Sequence, residues 1–127
     1  MSEKLGSFES KMASFAFTKT TDGQIQTTAS YQGTADGFGA VFGTITLTQP
    51  LADAGATSGT VTYVGKAQLE DNSIIGGIGE GTWQQIENEA KYKMSLLINI
   101  SDGTQIRSEG VLDNVEMTLN GDNYSVD

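Results

Sequence analysis

The sequence predicts an all-β protein, a single closed antiparallel barrel of eight strands that takes in residues 1–127 as one domain. Three observations predict it. Apolar and polar residues alternate with period two over most of the chain, the pattern of strands with one buried face. Turn dipeptides separate the alternating runs at Asp22-Gly23, Asp36-Gly37, Asp102-Gly103 and Asn120-Gly121, where glycine supplies the positive φ of a tight hairpin. From Gly76 to Gly81, four of six consecutive residues are glycine, and so bare a strand bends sharply enough to close a sheet.

The strands follow in order. Ser7–Thr18 is the first. Gln24–Gln32 alternates through Ile25, Thr27, Ala29 and Tyr31. Ala40–Thr48 sets Val41, Gly43, Ile45 and Leu47 against Phe42, Thr44, Thr46 and Thr48. The small, polar stretch from Pro50 to Gly59 is a rim loop or a short extra turn. Gly59–Leu69 aligns Val61, Tyr63, Gly65, Ala67 and Leu69 on one face. The glycine run comes next, with Gly77, Gly79, Gly81 and Trp83 on one side and Gly76, Ile78, Glu80 and Thr82 on the other. Between Gln84 and Leu97 a helix competes, because Ile86, Ala90, Met94 and Leu97 fall at helical spacing and Glu87–Lys91 and Glu89–Lys93 are favourable pairs. Strand is the expectation there, with Glu87-Asn88-Glu89 as a turn, since alternation from Tyr92 to Ile100 is unbroken. A hairpin at Asp102-Gly103 returns the chain as Thr104–Leu112, and Val115–Leu119 is the last strand candidate. Gly-Thr pairs at Gly33, Gly43, Gly59, Gly81 and Gly103 are expected to mark strand starts.

The chain has no cysteine and no histidine. Disulfides, thiol nucleophiles, histidine relays and the usual zinc and facial-triad iron sites are thereby excluded, and no metal or other cofactor is expected. Any proton chemistry falls to Glu, Asp, Tyr or Lys. Sixteen acidic residues against seven basic ones give a net charge of −9, and Arg107 is the only arginine. No basic patch can be assembled, so nucleic acid and anionic membrane are not expected partners. No apolar leader opens the chain and no run approaches the ~18 apolar residues of a membrane helix, so a cytoplasmic location is expected. The glycine run is no phosphate cradle, because it leads into Thr82-Trp83-Gln84 and not into a helix start, and no P-loop lysine follows.

Several words in order carry a family resemblance: Gly6-Ser7-Phe8-Glu9, Gly43-Thr44-Ile45-Thr46-Leu47, Gly79-Glu80-Gly81-Thr82-Trp83, and Ser101-Asp102-Gly103-Thr104 running on to Glu109-Gly110. Together they resemble the small bacterial proteins grouped with the allene oxide cyclase-like barrels, a class that also includes plant dirigent proteins. The resemblance spans most of the chain. It implies an eight-stranded antiparallel barrel and a homo-oligomer, and it carries over no catalytic residue. The Gly-x-Trp of lipocalins and avidins lies on their first strand, so Gly81-Thr82-Trp83 does not place the chain among them.

Candidate site residues fall into three groups. Arg107 and Glu109 share one strand face: toward the lumen they would be an anion clamp and a base, and toward solvent a surface ion pair. Alternation with Ile106 and Ser108 favours the outer wall. Glu80 sits among bare glycine amides, either as a desolvated catalytic carboxyl or as a solvated strand residue. Tyr31, Tyr63, Trp83 and Tyr92 are candidates for a ligand wall, with core packing as the alternative. Leu97, apolar on a polar face, suits a subunit contact. Asp113, Glu116, Asp122 and Asp127 read as a loosely ordered acidic tail. Three functions fit: a barrel binding one small, largely apolar molecule, an isomerase or cyclase working by cavity shape with Glu80 or Glu109 assisting, or a filled barrel with an assembly role.

Overall fold

Period-two patterning is realised as eight strands in the computed structural model, which describes residues 3–126. They are β1 (Lys4–Lys19), β2 (Gln24–Ala35), β3 (Gly39–Pro50), β4 (Ser58–Gln68), β5 (Ile74–Gln85), β6 (Lys91–Ile100), β7 (Gln105–Asp113) and β8 (Thr118–Ser125). Each pairs antiparallel with the next, and β8 pairs with β1, so the sheet closes in sequence order. The helix that competed over Gln84–Leu97 does not form. β5 and β6 pair from Gly77↔Ile100 to Gln85↔Tyr92, and the chain turns at Glu87–Ala90. The Pro50–Gly59 loop contains a single 3-10 turn, Leu51–Asp53. No helix among the described residues is long and apolar enough to cross a membrane.

Register turns the alternation into an inside and an outside. Val61, Ile45, Met94, Leu96 and Ile98 are buried, Val61 to 2 % exposure. Outside stand Thr44, Thr46 and Thr48 on β3, Thr60 and Thr62 on β4, and Lys91 and Lys93 on β6. A membrane-spanning barrel carries its apolar band outward, the reverse of this arrangement.

The glycine run closes the barrel by backbone approach. A Cβ on Gly79 would lie 2.6 Å from the carbonyl oxygen of Leu97, and one on Gly81 would collide with the carbonyl oxygen of Ser95. Both obstacles belong to β6, the strand paired with β5, so bare backbone is what lets the two strands coil tightly together. Glycines elsewhere make room for rings instead. Trp83 lies against Gly59, its cross-strand partner, and Tyr63 lies over Gly43 and Gly65.

Several expectations are corrected. Asn120-Gly121 is not a turn. β8 runs straight through it, and the preceding turn is Asn114–Met117, so the strand expected at Val115–Leu119 is shifted toward the C-terminus. Gly121 pairs with Gly110 on β7 and Phe8 on β1, and its Cβ would collide with the carbonyl oxygen of Glu109. The acidic tail is part of the barrel: Asp122 accepts a hydrogen bond from Ser7 Oγ at 2.8 Å, and Asp113 Oδ1 accepts from the Val115 and Glu116 amides. Asp127 lies outside the described residues. Of the Gly-Thr pairs, Gly33, Gly43 and Gly81 sit within strands, not at their starts.

One end of the barrel carries an overhang. β1 pairs with β8 only as far as Lys11↔Thr118, but with β2 as far as Lys19↔Ile25. β3 likewise pairs with β4 only from Ala40 to Thr46. A bulge between Met12 and Ser14 brings Phe15 and Phe17 onto the inward face of this three-stranded lip, where both stay exposed and meet edge to face at 5.7 Å.

Candidate functional site

Inward-facing side chains fill the middle of the lumen and leave space toward its ends. Tyr31, Ile45, Val61, Trp83 and Met94 are all buried at mid-barrel. Toward the end that carries the chain termini lies a cavity of about 110 Å³ walled by Phe8, Ile45, Leu96, Ile98 and Ile106. At the other end, under the β1–β3 lip, is an open depression of about 370 Å³ lined by Phe15, Phe17, Leu47, Trp83 and Tyr92. Tyr31 and Ile45 border both spaces.

The four candidate aromatics all face inward. Trp83 and Tyr92 meet edge to face at 5.8 Å and form one wall of the open end. Tyr63 lines the cavity toward the terminal end, and burial raises its phenol pKa. Tyr31 is 5 % exposed, its pKa is pushed up to about 12 by burial, and no group among the described residues hydrogen-bonds its hydroxyl. It is therefore a neutral donor across the physiological range.

The three charged candidates face outward. Glu80 is exposed on the outer face of β5. Arg107 and Glu109 lie on the outer face of β7, with Nε 3.4 Å from Oε1 and both side chains about 40 % exposed (40 and 43 %). Arg107 Nε makes no hydrogen bond, so the contact is an ion pair without aligned geometry and contributes under about 1 kcal/mol. The Arg107 guanidinium also stacks over the Tyr124 ring at 5.1 Å. Along the closed part of the barrel no charged residue faces inward among the described residues; Lys19, at the tip of the β1–β3 lip, shares the parity of Phe15 and Phe17. Proton transfer by a lumenal carboxylate has no group to perform it, and tyrosine phenols are the titratable groups facing the interior.

Sequence reasoning passed over a polar patch on the inner wall. Ser10, Ser108 and Asn123 are buried, with Ser108 directly opposite Asn123. Ser10 Oγ donates to the carbonyl oxygen of Leu119 at 2.6 Å, so its hydrogen-bonding capacity is taken up within the wall. The available signal was a polar residue at the parity of the apolar face. Phe15 and Phe17 were passed over because the bulge between Met12 and Ser14 switches the parity of the inward face within β1.

Outside, Phe42, Val64, Ile78 and Leu97 are all exposed and lie on four consecutive strands, β3 to β6. Val64 faces Ile78 across the β4–β5 pair, and Phe42 and Leu97 are each one pleat removed on the flanking strands. They form a diagonal apolar stripe across an otherwise polar wall.

Comparison with known proteins yields no match: no family model, no curated protein and no solved structure is similar enough to this chain to assign it a family.

Proposed function

We propose that this barrel binds one small, largely apolar molecule in its lumen. The observation that carries the reading is the cavity of about 110 Å³ at the end of the barrel that carries the termini, walled mostly by aliphatic and aromatic side chains. Apolar cavities on the order of 150 Å³ stay dry and take up a guest the size of benzene. Eight-stranded barrels have room for one small ligand. The resemblance to allene oxide cyclase-like barrels supports the same reading at the level of architecture. A carboxylate-assisted cyclase is the weaker reading, since Glu80 and Glu109 both face solvent.

Benzene is a direct probe. Saturating benzene is expected to raise the melting temperature of the protein, because a guest bound only by the folded state stabilises it by mass action. Ala67, buried and on the cavity wall, is the place to fill the space. Ala67→Leu is expected to abolish the shift, while Thr62→Ala on the outer wall keeps it. A wild-type melting temperature indifferent to benzene refutes the proposal.

We also propose a homo-oligomer, built on the outer stripe of Phe42, Val64, Ile78 and Leu97. Monomers seldom leave a contiguous apolar patch in water unless something covers it.

A further inference from the structure

Among the described residues, one lumenal side chain carries a fully enclosed polar atom for which the fold itself has no use. Tyr31 is 5 % exposed and its Oη has no hydrogen-bonding partner among the described residues. Native proteins leave few such groups, because a buried hydroxyl without a partner costs about 1–3 kcal/mol. A phenylalanine at this position would fill the same space without that cost. Tyr31 lines both the cavity at the terminal end and the open depression, so it is a residue that a guest in either would meet.

We infer that the ligand is a neutral, largely apolar molecule carrying an oxygen acceptor, such as a ketone, aldehyde or ether, and that Tyr31 Oη donates a hydrogen bond to it. The inference rests on the proposed lumenal binding and specifies its chemistry. An oxygen acceptor matches because the phenol keeps its proton and so has an O–H to donate. Neutrality follows from the wall. Among the described residues, Lys66 is the cation bordering the cavity, and it is exposed on the outward face of β4, so a carboxylate or phosphate buried within would lack a counter-charge beside it. Ser10 Oγ already donates to Leu119, Ser108 and Asn123 stand opposite each other on the same wall, and aliphatic and aromatic groups dominate the rest, so the guest is largely apolar. Tyr31 is thus a specificity-determining residue: it favours the oxygenated molecule over a hydrocarbon of the same shape.

Cyclohexanone and methylenecyclohexane differ in that one oxygen and have nearly the same shape. Their dissociation constants are measured by calorimetry on the wild type and on Tyr31→Phe. The preference for the ketone is expected to fall about tenfold in Tyr31→Phe, while hydrocarbon binding holds and the ligand-free variant melts at or above the wild-type temperature. An unchanged preference overturns the inference and leaves lumenal binding standing. A ligand-free variant that melts well below the wild type also overturns it, since the hydroxyl would then serve the fold. If neither compound binds and benzene gives no shift, the lumenal reading itself fails and this inference falls with it. The carbonyl stretch of isotope-labelled cyclohexanone bound to the wild type needs no variant. A shift to lower frequency supports the hydrogen bond, and a frequency like that in hydrocarbon solvent overturns it.

Discussion

At Gly81 the backbones of β5 and β6 come so close that any side chain would run into the carbonyl oxygen of Ser95. Backbone cannot step aside as a flexible side chain can, so the cost of filling this space is steric and hard to relieve. Gly81→Ala is expected to destabilise by about 2 kcal/mol or more, and Gly79→Val by more than about 1 kcal/mol. Gly76, in the same run, is the internal control. A Cβ there has nothing nearer than the Gly65 carbonyl oxygen at 3.8 Å, so Gly76→Ala is expected within about 0.5 kcal/mol of wild type. Equal denaturant midpoints for all three variants would refute the close-approach account. The glycine run was legible in the sequence as a bend, since four bare residues among isoleucines have little other use. The split between Gly76 and Gly81 was not, because it depends on which glycine faces the partner strand's carbonyls. The same limit applies to the candidate site. Parity put Tyr31 and Tyr63 on the apolar face and Arg107 and Glu109 on the other, but a missing hydrogen-bond partner is a property of three-dimensional neighbours.

The hairpins show where turn chemistry can be read and where it cannot. Asp22-Gly23, Asp36-Gly37 and Asp102-Gly103 all turn, with the glycines at φ of 82°, 80° and 93°. At Asp102 the carboxylate also accepts from the Thr104 amide at 2.9 Å and hydroxyl at 2.6 Å, and those bonds hold its pKa below the usual carboxylate range. The remaining tight turns lack glycine and place Asn72, Asn88 and Met117 at positive φ. Asparagine tolerates that region, so its two turns are chemically ordinary, and Glu87-Asn88-Glu89 was read as one. Met117 is different. It lies at φ 59° with an unbranched apolar side chain that has no local hydrogen bond to offer, and the ladder ahead absorbs Asn120-Gly121. Sequence therefore pointed to the wrong turn between β7 and β8. Met117→Asn is expected to stabilise the protein by about 0.5–1 kcal/mol, because it relieves left-handed strain at an exposed position. A lower melting temperature for this variant would show that Met117 does more for the open end of the barrel than its conformation costs.

Closure is what makes one simple pattern sufficient for the whole molecule. A flat sheet of these strands would leave edges and only one sheltered face, whereas a barrel removes the edges and encloses every second residue. That is why a period-two reading recovered the architecture without any long-range information. What it could not supply is the diagonal on the outer wall, because each member lies on a different strand and only register aligns them. The stripe has a self-complementary layout. Lys66 lies two residues from Val64 along β4 in one direction, and Glu80 lies two residues from Ile78 along β5 in the other. A two-fold axis crossing the stripe at its midpoint sets Val64 against Ile78 and Phe42 against Leu97, and it brings Lys66 of one copy and Glu80 of the other to the same end. This matters in a chain of charge −9, where two copies otherwise repel and an anchored contact needs opposite charges at its rim. Light scattering is expected to show a dimer at high micromolar concentration. Ile78→Lys should give a folded monomer, since the side chain is exposed and its loss leaves the core intact. Lys66→Glu should weaken the dimer, and adding Glu80→Lys to it should restore association. A wild type that stays monomeric at every concentration refutes the interface. A dimer indifferent to Ile78→Lys places the contact elsewhere on the barrel.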